Sequence, residues 1–181
     1  MVKNRFLLVA LVILWSLSGC ERLGSVNIAV EGGNAPVFKL SGTGYLLGIY
    51  VYGPRPGETI AVPDEVPLWV IHNKPDGTFQ GTYGGRLMDS VGTVPYGQVP
   101  SRFEQRFPLG GAQPQRLVEG IVYIVHLETT NAYEKSVFVQ MKNGKASQIQ
   151  VPNLCIEKRG GDAKWEKLEC DTGKPFTDPR P

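Results

Sequence analysis

From Val26 onward the chain never keeps an apolar residue every three or four positions through three consecutive turns, so no helix of ordinary length can bury a face. Its apolar residues come instead in short runs closed by turn formers. Val26–Val30 and Val37–Leu40 come first, and Ser41-Gly42-Thr43-Gly44 parts the second from Tyr45–Tyr52. Gly53-Pro54-Arg55-Pro56-Gly57 follows, then Val66–His72, closed by Asn73-Lys74-Pro75-Asp76-Gly77. Ile121–Thr129 and Ser136–Lys142 are the clearest strands, and Asn143-Gly144 leads the latter into Lys145–Val151. Asn-Gly between two such runs is the strongest short-range hairpin signal. Residues 73–115 are rich in Gly and Pro, with short extended pieces at Thr78–Gln80, Arg86–Val94 and Arg102–Phe107. Phe103 and Phe107 stand at helical spacing, but Pro100 and Pro108 bound them and favour a strand or single turn. With 22 Gly and 14 Pro in 181 residues, turns are plentiful and a helical bundle is excluded. The expectation is an all-β chain: one antiparallel, immunoglobulin-like sandwich of about seven to nine short strands.

The N-terminus has a different character. Lys3 and Arg5 precede an apolar stretch of 12 residues, Phe6–Leu17. A membrane-spanning helix needs about 20, so this reads as the apolar region of a secretory signal. Leu17-Ser18-Gly19-Cys20 then resembles the lipobox of bacterial lipoproteins. The resemblance implies cleavage before Cys20, a diacylglycerol on its thiol and acylation of the new amine. Two or more acyl chains anchor a protein stably where one does not. The expected organisation is a signal peptide at 1–19, a lipidated cysteine and short tether at 20–25, a sandwich domain at 26–170, and a disordered tail at 171–181. Glu21 follows the cysteine, whereas enteric-type lipoproteins retained in the inner membrane carry aspartate there. The expected location is therefore the cell envelope, at the periplasmic face of the outer membrane. The tether, Glu21–Ser25, reaches at most about 18 Å.

Removal of the signal also settles the charge. Lys3 and Arg5 are two of the chain's 19 basic side chains, and residues 1–19 hold no acid, so 17 bases face 17 acids in the mature chain. A neutral domain lacks the basic footprint of a nucleic-acid binder. With Cys20 acylated, Cys155 and Cys170 remain in an oxidising compartment, on two short strands around Gly160-Gly161. A structural disulfide is the reading, beside a reactive pair or a two-thiolate metal site. The spacing is not that of C-x-x-C redox motifs, and no histidine is near.

Leu117-x-x-Gly120-x-x-Tyr123-x-Val125-x-Leu127 resembles the turn and F-strand of immunoglobulin-like and fibronectin type III modules. The resemblance implies a buried Tyr123 whose hydroxyl bonds back to nearby backbone, a tyrosine corner. Alternation puts Tyr123, Val125 and Leu127 on one face and Val122, Ile124 and His126 on the other. Trp69 takes the part of the core tryptophan. The cysteine pair departs from the family's inter-sheet bridge, since both cysteines lie near the C-terminus. The wider succession, Phe38–Gly42, Tyr52-Gly53-Pro54, Leu68-Trp69 and Tyr96–Pro100, is similar to that of small bacterial lipoproteins, a likeness that implies a fold and no activity.

Motifs of catalysis are missing from the sequence. There is no G-x-S-x-G, and Gly84-Gly85 and Gly110-Gly111 lack the G-K-[ST] of a phosphate loop. Asp76-Gly77 and Asp162 lack a calcium-loop pattern. Asp64 with Glu65, and Glu166 with Glu169, read as solvated acids; His72 and His126 read as sheet-surface residues. No cofactor is expected. Tyr50, Tyr52, Tyr83 and Tyr96 are the candidate binding surface, beside the reading that they cover the core. The function expected is a non-enzymatic binding or structural module that meets the membrane through its anchor and another envelope protein or a glycan through its surface. The alternative is an envelope hydrolase or enzyme inhibitor with a loop-built site. Convergence of His72 and His126 in a cleft would favour an enzyme. An aromatic patch beside an unpaired strand edge would favour binding by strand addition.

Overall fold

The computed structural model describes residues 23–33, 35–63, 65–74, 84–159 and 164–177. Among the described residues twelve strands run in chain order: β1 (Asn27–Glu31), β2 (Val37–Ser41), β3 (Tyr45–Gly53), β4 (Val66–Asn73), β5 (Arg86–Leu87), β6 (Thr93–Pro95), β7 (Phe103–Phe107), β8 (Val122–Thr130), β9 (Lys135–Lys142), β10 (Lys145–Ile149), β11 (Leu154–Arg159) and β12 (Lys164–Glu169). One helical turn, α1 (Met88–Val91), lies between β5 and β6. The strands form an antiparallel sandwich. A small sheet has the order β1-β2-β6, and a large one β10-β9-β8-β3-β4-β7, with β5 pairing β3. β11 and β12 form a separate hairpin. The orders β1-β2-β6 and β9-β8-β3 follow the A-B-E and G-F-C successions of an immunoglobulin-like sandwich.

Side-chain alternation divides the large sheet into two apolar faces. Its inner face sets Ile49, Val51, Trp69, Ile71, Val125, Leu127 and Val139 against Ile28, Phe38 and Leu40 of the small sheet. Trp69 is fully buried, with Phe38 at 6.4 Å and Tyr96 edge-on at 5.5 Å between ring centroids. Its indole N–H donates to Gln105 Oε1, whose amide in turn donates to the carbonyls of Pro108 and Ala112. A bulge at Leu47 lets both Leu46 and Ile49 face this core. The outer face carries Tyr50, Tyr52, Val122, Ile124 and Phe138, covered in part by Leu154 and Ile156 of the β11–β12 hairpin and by Phe176.

The hairpin and corner read from sequence are both present. Asn143 and Gly144 have φ of 53° and 69°, the paired left-handed conformation of a two-residue turn joining β9 to β10. Tyr123 is buried, and its hydroxyl accepts the Val118 N–H at 2.7 Å. Burial pushes the hydroxyls of Tyr123 and Tyr96 above the usual tyrosine range. Unfolded tyrosines lose their protons near pH 10, before the buried ones, so stability is full below that pH and falls as pH climbs above it. Tyr123→Phe is expected to cost about 1 kcal/mol at pH 7 through the lost corner bond, and to soften the alkaline loss. Urea unfolding at pH 7 and in the alkaline range measures both; a variant matching the parent at both would show the corner to be idle.

Two expectations need correction. The described residues hold twelve strands where about seven to nine were expected, because β10, β7, β5 and the β11–β12 hairpin extend the sandwich. Arg86–Val94, read as extended, is interrupted by α1, too short for any periodic signal. Met88 is buried there, the Asp89 carboxylate accepts the Gly42 N–H at 2.7 Å, and Gly92 ends the turn at φ 65°. Beyond β12 the described residues 170–177 turn back. Gly173 turns the chain at φ 65°, Pro175 bridges Leu168, and Phe176 joins the apolar cover. Near the first strand, Gly24 bridges Ala132. Cys155 and Cys170 form a disulfide with Cα atoms 5.0 Å apart, closing the open end of the β11–β12 hairpin.

Candidate binding face

Strand register assembles a polar cluster on the outer face of the large sheet. His72 on β4 and Glu128 on β8 both pair with Gly48 of β3, which lies between them. One step along, Tyr50 of β3 pairs with His126 of β8, and His126 with Ser136 of β9. The two-residue period then carries all of these side chains to one face. Gly48 leaves the space they use. A Cβ there would stand 2.9 Å from the Tyr50 ring and 3.2 Å from the His72 ring, with the Ile71 carbonyl at 3.0 Å.

Two linked groups result. The Tyr50 hydroxyl donates to Glu128 Oε2, and His72 Nε2 lies 3.4 Å from the same oxygen. Beside them, His126 Nδ1 is 2.9 Å from Ser136 Oγ, and His126 Nε2 is 3.5 Å from Glu134 Oε2. The rings of Tyr50 and His126 meet at a centroid distance of 5.9 Å, joining the two groups. Both histidines and Glu128 are partly exposed. A groove of about 280 Å³ adjoins Ser136, walled by Pro63, Ile124, Phe138, Leu154 and Ile156. The face therefore offers ring N–H groups, carboxylates and a hydroxyl around an aromatic ring, next to an apolar trough.

The tyrosines named from sequence do not form one surface. Tyr50 belongs to the cluster, whereas Tyr52 is only 4% exposed, stacked on Tyr50 at 6.1 Å beneath the outer cover. Tyr96 is buried on the opposite side of the sheet, with its hydroxyl donating to the Gln115 carbonyl at 2.8 Å. Tyrosine hides its ring readily when the hydroxyl finds a partner, which accounts for Tyr96. Tyr83 and Cys20 lie outside the described residues, as do Asp64, Asp76, Asp162 and the Thr78–Gln80 piece. His72 and His126, read as separate surface residues, share this face, and sequence reasoning missed Glu128, Glu134 and Ser136. His126 and Glu128 alternate visibly, but only the pairing of β3 with β4 and β8 brings His72 to them.

Among the described residues no group of three His, Cys, Asp or Glu side chains is arranged to hold a metal ion. No helix among them is long and apolar enough to cross a membrane. No protein-family model, curated protein or solved structure matches the chain.

Proposed function

We propose that this is a lipid-anchored lipoprotein of the bacterial envelope, held at the periplasmic face of the outer membrane through Cys20, and that its sandwich is a non-enzymatic binding module. The observation that carries the binding role is the half-exposed cluster of His72, Tyr50, Glu128, His126 and Ser136 beside an apolar groove. Such a mixture of hydrogen-bonding groups and aromatic area suits a glycan or a polar segment of another envelope protein. The lipobox and its preceding signal support the anchor.

The order Ser136–His126–Glu134 favours a second reading, a serine hydrolase. The geometry favours binding over it. At 3.5 Å the His126–Glu134 contact is too long for a well-formed hydrogen bond, and the Glu134 side chain is 57% exposed. Ser136 also lies within the regular β8–β9 ladder, far from the sharp strand-to-helix turn that presents a hydrolase nucleophile.

Affinity capture of the acylated protein from native membranes tests the proposal. The parent is expected to retain a partner that Glu128→Gln with Ser136→Ala releases, and Cys20→Ser is expected to move the protein to the soluble fraction. A fluorophosphonate probe is expected to leave Ser136 unmodified. A probe adduct on Ser136, with turnover of an ester or peptide panel and no partner captured, would replace the binding role by hydrolysis. Continued membrane attachment of Cys20→Ser would refute the anchor.

A further inference from the structure

The chain enters the sandwich at one end only, and that end is defined by its hydrogen bonds. The Gly24 N–H donates to the Asn131 carbonyl, and Gly24 forms a parallel bridge with Ala132. The Ser25 N–H donates to Thr43 Oγ1 at 3.0 Å, and the Thr43 N–H donates to Ser25 Oγ at 3.3 Å. Residues 24–25 are thus wedged between the β2–β3 loop and the β8–β9 loop. Packing is tight here: a Cβ on Gly24 would stand 2.7 Å from Gly44 Cα, and one on Gly44 would stand 2.7 Å from the Ala132 Cβ. β3 starts at this end and β8 finishes at it, so the two loops mark one pole of the large sheet.

Two exposed apolar side chains flank the docked segment. Leu23 is the residue just before Gly24, and Tyr133 follows Ala132 in the β8–β9 loop with 79% of its surface open to solvent. Cys20 lies four residues before Gly24, so an acylated Cys20 stands within about 14 Å of this pole even when the chain is fully extended. Tyrosine at a membrane–water boundary keeps its ring among the acyl and headgroup carbons and its hydroxyl in water.

We infer that this pole is a bilayer-contacting surface, with Tyr133 and Leu23 seated in the lipid interface beside the Cys20 anchor. The inference rests on the lipoprotein reading and goes beyond it, because an anchor alone leaves the domain free to hang in any orientation. The occupant is the lipid surface itself. The chain that carries the acyl groups ends at this pole, and Tyr133 stands one residue from the docking bridge. The opposite pole, where Val118 precedes β8, has no connection to the anchor.

Site-directed spin labelling of the acylated chain in phosphatidylethanolamine–phosphatidylglycerol vesicles tests it. Tyr133→Cys and, at the far pole, Val118→Cys each receive one nitroxide; both positions are exposed, so neither change disturbs packing. Relative accessibility to lipid-soluble oxygen over an aqueous nickel chelate is expected to be several-fold higher at 133 than at 118. Flotation with the vesicles is read in the same samples. Equal accessibility in protein that floats would overturn the oriented surface and leave the anchor standing. Failure to float would overturn the anchor, and the inference with it.

Discussion

Trp69→Ala is expected to remove a third or more of the stability of the sandwich. Truncating a buried tryptophan costs about 3–5 kcal/mol, against total stabilities of about 5–15 kcal/mol for domains of this kind. Trp69 sits at the upper end of that range for two reasons. Its ring fills the space between the sheets against Phe38 and Tyr96, and its indole N–H occupies the Gln105 oxygen while the Gln105 amide bridges two loop carbonyls. Deletion therefore opens a cavity and unlocks the chain after β7 together. Trp69→Phe keeps most of the volume and loses the hydrogen bond, so a markedly smaller loss is expected. Urea midpoints followed by circular dichroism separate the three proteins. A Trp69→Ala variant within about 1 kcal/mol of the parent, the ordinary effect of a point substitution, would show that the two sheets do not depend on this ring.

The double substitution Cys155→Ser with Cys170→Ser should produce the second large effect, concentrated in one layer. The bridge spans a sequence separation of 15, for which the chain-entropy model gives about 3 kcal/mol. Outside its own ladder the hairpin is held by Leu154, Ile156 and Leu168, and by Lys167, whose ammonium pairs with Glu58 and donates to the Ile60 carbonyl at 3.0 Å. Loss of the bridge is thus expected to raise local opening of β11 and β12 by about two orders of magnitude, while the inner core changes much less. Hydrogen exchange by mass spectrometry reads this directly, and non-reducing peptide mapping of the parent should recover Cys155 joined to Cys170. Unchanged exchange in the hairpin of the variant, or two free thiols in the parent, would end this account.

Strand content was legible because it depends on local alternation. β8 and β9 show a period of two with β-branched and aromatic residues, and Asn143-Gly144 supplies the turn chemistry. Tyr123 was legible through its spacing from Leu117 and Gly120, since the corner is itself local. What escaped depends on pairing or on exceptions to the period. Plain alternation through β3 would set Leu47 with Ile49, whereas the bulge puts Leu46 there. The α1 turn is too short to show a helical pattern. The polar cluster draws on β4, β3, β8 and β9, from residue 50 to residue 136, and no sequence window spans such a register. The reading that these rings cover the core suits Tyr52 and Tyr96; which tyrosines it suits was hidden, because a tyrosine shows no polarity preference until its hydroxyl partner is known.

Under the proposed lipid anchor, the docking of Gly24 and Ser25 would also govern how this protein searches for a partner. Were Cys20 held by lipid as proposed, only residues 21–23 would remain between the anchor and a segment hydrogen-bonded to two loops. So short a leash would limit the height of the domain above the membrane. Encounters would then become a two-dimensional problem, in which a partner fixed in the same membrane would meet the His72–Ser136 face at a high effective concentration. A partner reaching only beyond that height would never meet it, whatever its affinity in solution. Lengthening the leash would trade that local concentration for reach.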